Sequence, residues 1–218
     1  MTIRFVFWGT LLWNSLAVST AIIIYSYTGV NHFNEDGFIT ILSVLQLLTI
    51  SWLSYKILQT RNVTRRCTLW RESSALWGII SLSFLFLAAD EFFQIHEEID
   101  FGIHNFFNIR ETGFTDRIDD ILVGLYGLAG IFVLITYWDE LKAHRRAFPF
   151  FIYGFIFLFA MIAIDVLTNR NDILPALFDY DLANVLHVWL SHAEDSLKVF
   201  AEAFFIMAFF SILQKNNE

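Results

Sequence analysis

Three features of this chain predict an all-α fold, a six-span antiparallel helix bundle embedded in a membrane. Of its 218 residues, 56% are hydrophobic and only 17% charged, whereas about one quarter of a typical soluble domain is charged. The apolar residues form long runs rather than one-sided helical stripes, as in segments solvated by lipid. Basic residues gather in alternate loops, as they do in a chain that crosses a bilayer repeatedly.

Crossing a hydrocarbon core takes roughly 20 helical residues, and six segments supply them. The first, 5–27, contains Ser19-Thr20-Ala21, which resembles a signal cleavage site. Its apolar run continues through Ile22-Ile23-Ile24-Tyr25, so an uncleaved span is expected. The second, 38–58, ends at Lys56 in a basic loop. The third, 74–95, is greasy until Asp90-Glu91. The fourth, 118–138, carries Gly124 and Gly127 on one face, where small residues let a neighbouring helix approach closely. The fifth, 148–168, holds Asp165 near its end, and the sixth, 186–212, opens with a polar stretch. The pieces 31–36, 100–117 and 169–184, the last containing Pro175, suit short interfacial turns. One transmembrane domain covers 1–218.

With alternating helices, Arg4, Lys56, Arg61, Arg65, Arg66, Arg71, Lys142, Arg145, Arg146 and Lys215 share one side. Of the 22 Asp and Glu residues, all but Glu72, Asp139, Glu140 and Glu218 fall on the other, beside only Arg110, Arg117, Arg170 and Lys198. The basic side is expected to be cytoplasmic, with both termini on it, and a bacterial inner membrane is the expected location. The net charge of −8 and the absence of a long Lys/Arg block argue against nucleic-acid binding. A single cysteine, Cys67, excludes an intrachain disulfide and a cysteine-built zinc site. The expected partners are membrane lipid and further copies of the chain.

Ionisable groups at membrane depth are costly and mark functional sites by default. On a continuous third helix, Asp90, Glu91, Gln94, Glu97 and Glu98 share one sector and His96 points elsewhere. On the sixth, His187, Ser191, Glu194, Asp195, Lys198 and Glu202 share a face and His192 lies off it. Asp120 and Asp165 reach a similar depth from the fourth and fifth helices. Lys198 stands four residues from both Glu194 and Glu202, a pairing distance. One lysine does not neutralise so many acids, so a divalent metal ion or retained protons are expected. Asp90, Glu91, Asp195 and His187 are the candidate ligands for Zn, Mn, Fe or Ca. His187 is as well explained as a core residue, Glu97 and Glu98 as solvated groups at a helix exit, and His144 as a solvated loop residue.

The block Asp90-Glu91 to His96-Glu97, followed late in the chain by Glu194-Asp195-Ser196-Leu197-Lys198, resembles a motif of multi-pass bacterial membrane proteins with no assigned activity. The resemblance implies about six spans and no particular chemistry. The late helix compares poorly with the His-x-x-x-His of alkaline-ceramidase-like membrane hydrolases, because His187 and His192 are five residues apart and face different ways.

The expected function is a metal-dependent membrane hydrolase acting on a lipid-like or membrane-accessible substrate. Glu194 or Glu97 would be the general base, with Lys198 a further catalytic candidate and Ser191 a ligand or substrate contact. A cation or proton transporter is the competing expectation, with an acidic outer vestibule and Glu202, Asp120, Asp165 and Gln94 along the ion path. An accessory membrane subunit is the third.

Overall fold

The computed structural model describes residues 2–34, 36–62, 75–108, 118–168 and 173–216, without the side chains at 61, 62, 119 and 120. Cys67, Asp116 and the side chain of Asp120 lie outside the described residues. The rest is helical, with no strand among the described residues: α1 (Ile3–Thr28), α2 (Phe38–Asn62), α3 (Ala75–Phe93), α4 (Ile95–Phe107), α5 (Ile118–Thr136), α6 (Trp138–Lys142), α7 (Phe148–Thr168), α8 (Ile173–Leu177) and α9 (Tyr180–Asn216).

Among the described residues, five helical stretches are long and apolar enough to cross a membrane: Ile3–Thr28, Phe38–Thr60, Ala75–Phe93, Arg145–Thr168 and Tyr180–Asn216. The expected fourth span corresponds to α5, whose apolar part, Ile121–Thr136, is shorter. α4 overlaps the start of the expected 100–117 piece and α8 lies within the 169–184 piece, and α9 begins at Tyr180 instead of 186.

α9 is the axis of the bundle. It packs against α7, α2 and α1, while α2 also packs against α3 and α5 leans on α7. Its inner half is almost wholly buried, with Ala201, Ala203, Phe205, Met207, Ala208, Phe209 and Ile212 inside. Phe205 and Phe209 meet Phe84 of α3 and Phe151 of α7, and Phe205 also meets Phe155. Gly154 makes the α7–α9 approach possible, since a Cβ there would stand 2.7 Å from Phe205. In α5, Gly127 faces Leu158 and Phe159 of α7 as the small-residue face predicts, but Gly124 faces open space.

The outward faces are apolar, with Trp8, Leu12, Trp13, Leu45, Trp52, Phe132 and Ile152 exposed. This inverts the soluble pattern and suits lipid solvation.

α1 is held chiefly through one polar clamp. Buried Asn14 donates from Nδ2 to the Val199 carbonyl of α9 at 2.7 Å and accepts from Gln46 Nε2 of α2 at 2.8 Å. Little else of α1 is buried beyond Ala21. Hydrogen bonds between membrane helices contribute roughly 0.6–2 kcal/mol each. Asn14→Leu is therefore expected to destabilise the protein by about 1–3 kcal/mol, because it strands the Gln46 amide as well. Thermal unfolding in detergent measures the loss, and Gln46→Leu in the same chain should recover part of it.

Candidate functional site

Asp90 and Glu91 are neighbours with different tasks. α3 stops at Phe93, and Gln94 turns the chain in the left-handed conformation (φ 55°) before α4 begins. Asp90, only 4% exposed, reaches over this corner. Its Oδ1 accepts the His96 backbone N–H at 2.9 Å and its Oδ2 lies 3.0 Å from His96 Nδ1. It thus satisfies a donor at the start of α4 that has no partner within the helix. The expectation that His96 points away is corrected, because the break at Gln94 turns it back onto Asp90, while Glu97 lines the same cavity as Asp90, Glu91 and Gln94 and Glu98 does not. The expectation that His144 is a solvated loop residue is also corrected, and His104 too lies inside. His104 is buried against Asp100, with Nδ1 at 3.0 Å from its carboxylate, and His144 is 3% exposed beside Trp77 and Glu140.

Glu91 faces α9. Lys198 Nζ stands 2.8 Å from Glu91 Oε1 and 2.9 Å from Asp195 Oδ1, joining the end of α3 to the middle of α9 through one ammonium. The expected ladder to Glu194 and Glu202 is thus replaced by a partner on another helix and one three residues back. A turn deeper, Glu202 is 5% exposed, and its Oε1 accepts from Ser43 Oγ of α2 at 2.6 Å. Glu202 Oε2 is buried with no hydrogen-bond partner. Glu194 accepts from Thr168 Oγ1 of α7 at 3.3 Å.

Asp90, Glu91, Gln94, Glu97, Asp165, Ser191, Glu194, Asp195, Lys198 and Glu202 all line one cavity of about 1070 Å³. His187 is not among its lining residues. It shares the face of Asp195 but lies eight residues earlier, about 12 Å along the helix. Among the described residues no group of three or more His, Cys, Asp or Glu side chains is arranged to hold a metal ion. Where Glu91 and Asp195 converge, Lys198 supplies the positive charge.

The cavity has two ends of opposite character. Its charged end is joined by Asn34, Asp36 and Thr40 from the α1–α2 connection and the start of α2, and by Tyr126 of α5. Its other end runs between α3, α5 and α7 over Ile80, Phe84, Val133, Phe155, Leu158 and Phe205. α3 makes only sparse contact with α5, which leaves this trough between them. Ser43 was legible as part of a polar series at 40, 43, 46 and 54 with helical spacing; Asp36 and Tyr126 gave no comparable signal.

No curated protein and no solved structure matches the chain. Removing Lys198 from this arrangement leaves two carboxylates, Asp195 buried and Glu91 partly buried, facing each other. Lys198→Met is expected to cost about 3–5 kcal/mol, the range for breaking a buried pair. Adding Glu91→Gln and Asp195→Asn should restore most of it, and equal loss in single and triple variants would contradict the pairing. Asp90→Ala and His96→Ala, compared singly and together by thermal unfolding, should be non-additive by about 0.5–3 kcal/mol. Residues 6–213 match the family described as a domain of unknown function (DUF8692), and the chain belongs to that family.

Proposed function

We propose that this protein is a multi-pass membrane protein that binds an amphipathic, lipid-like molecule in the cavity between α3, α5, α7 and α9. The carrying observation is the continuity of one cavity from the Glu91–Lys198–Asp195 group to the aromatic trough at Phe84, Phe155 and Phe205. A polar solute needs no apolar trough, and a hydrocarbon alone needs no charged end. Pockets that combine a mostly apolar lining with a few convergent polar groups are the usual form of ligand sites. In the six-span arrangement, with α5 as the short fourth span and both termini cytoplasmic, the charged end opens outward and the trough lies at membrane depth.

The head group that suits this end is a hydrogen-bond donor, an amine or a polyol. Asp36, Glu91, Glu97, Asp165, Glu194, Asp195 and Glu202 line the cavity against Lys198, so an uncompensated anion would be repelled. Hydrolysis of the bound molecule with Zn, Mn, Fe or Ca as the Lewis acid would require Lys198 to leave Glu91 and Asp195. Ligand binding therefore carries the reading without a metal.

Transport is the second reading, favoured by the polar groups that continue past the cavity floor. Glu202 with Ser43, then Gln46 with Asn14, reach further into the bundle. This reading would call on a homo-oligomer for a complete path.

The test is thermal stabilisation of the detergent-purified chain by a long-chain amine, a long-chain alcohol and a long-chain phosphate. A ligand at a hundred times its Kd stabilises by about 2.7 kcal/mol. The amine should stabilise most and the phosphate least, and Ser83→Trp, which fills the trough, should abolish the effect. No stabilisation by any of the three, with Ser83→Trp indistinguishable from the parent, would sink the binding reading. In proteoliposomes, proton or cation flux that Glu202→Gln eliminates would establish transport instead.

A further inference from the structure

A second cavity, of about 350 Å³, lies at the opposite end of the bundle, where α1 and α7 begin and α9 ends. Its chemistry is the reverse of the first. His144, Arg146, Ser211, Gln214 and Lys215 contribute its polar wall, and no Asp or Glu among the described residues lines it. Its apolar residues are Ile3, Phe150 and Ile212. In an acidic chain, two fixed cations and three neutral or basic donors around one hollow form a local reversal of charge. Ile3 opens α1, so the positive end of that helix dipole stands at the rim as well.

Two of the polar groups, His144 and Lys215, are held in place by their surroundings. His144 is 3% exposed and stacks edge-on against Trp77. Lys215 Nζ donates to the Ala143 carbonyl, which stations the ammonium beside the hollow and leaves two of its three donors for a ligand. Arg146 sits on the one-turn 3-10 helix Arg145–Ala147, immediately before Phe148 opens α7. Its guanidinium can bind a tetrahedral anion through two parallel N–H groups.

The geometry points to a binding site for the phosphate of an anionic phospholipid, with Arg146 and Lys215 as the charged contacts and Ser211 and Gln214 as neutral donors. The lipid source is argued from position. The hollow opens where three apolar spans end, at the level of the head groups, and Phe150 and Ile212 adjoin it to receive the first carbons of the acyl chains. Basic pockets between membrane helices are recurrent sites for anionic head groups. The inference is independent of the acidic cavity, which shares no lining residue with this one.

Native mass spectrometry of the full-length chain, released from detergent with equal phosphatidylglycerol and phosphatidylcholine, tests it. The parent should retain phosphatidylglycerol preferentially. Arg146→Gln with Lys215→Gln should lower its affinity about thirtyfold, as expected for two basic contacts to an anionic lipid. Arg146 and Lys215 are exposed, so the variant should fold, and an unchanged thermal midpoint without lipid verifies this. Arg145→Gln with Lys142→Gln removes as much charge outside the cavity and should leave retention near the parent level. Equal retention by parent and the Arg146/Lys215 variant, or equal losses in both double variants, would overturn the site. Inorganic phosphate added alone separates the sources: displacement of lipid at comparable concentration identifies free phosphate as the ligand, and no displacement identifies the phospholipid.

Discussion

The ammonium of Lys198 between Glu91 and Asp195 is the interaction on which the polar end of this protein depends. The two carboxylates converge on it, and like charges at close range in a poorly solvated site repel strongly without such a counter-charge. The pair to Glu91, 2.8 Å long, connects two helices far apart in sequence, and the pair to Asp195, 2.9 Å long, lies within α9. They fix the end of α3 against α9, while the rest of α3 packs on α2 and stands away from α5. The trough between α3 and α5 follows from that arrangement. A Lys has the reach for this task, and its compact charge can be shared between two acids in a way that a bidentate Arg fork would not favour.

Asp90 and Glu91 show how two adjacent acids can be separated by a helix. Successive side chains diverge by about 100°, so one turns to the corner before α4 and the other to α9. The first is structural, satisfying the opening N–H of α4 and engaging His96. The second joins the charged cavity. His192 is a comparable case on α9: it is buried among Tyr25, Phe33 and Trp189 and does not line Asp195's cavity, filling instead the contact with α1 and the α1–α2 connection.

Much of this was legible. Long apolar runs located the helices because lipid solvation leaves no alternative to closing backbone hydrogen bonds within each span. The face on α9 was legible because that helix is continuous, and Ser191, Glu194, Asp195, Lys198 and Glu202 do line one cavity. The break at Gln94 was not, since neither Gly nor Pro announces it and a non-glycine residue at positive φ is uncommon. That one residue explains why a wheel drawn through it misplaced His96: six residues along an unbroken helix is about 240° away from Asp90. The partner of Lys198 was hidden for a different reason. Two acids at four-residue spacing compete with a third on α3, and only the packing decides between them. His187 failed because a wheel reports angle and not height.

Depth supplies the remaining constraint. Lys215 marks one rim of the bundle, and Glu202 lies thirteen residues before it on the same helix, about 20 Å away. A carboxylate that far inside a bundle of helices long and apolar enough to cross a membrane is expensive by any measure. It cannot slide toward water, because α9 is held by the basic rim below and by the Asn14 bond to Val199 beside it. Ser43 offsets part of the cost through one oxygen, and the other has no hydrogen-bond partner. A charged-end cavity that reaches down to Glu202 is what makes the residue tolerable there. Depth and access are therefore one feature: the acid stays because the cavity meets it, and the cavity remains polar at its floor because the acid is there.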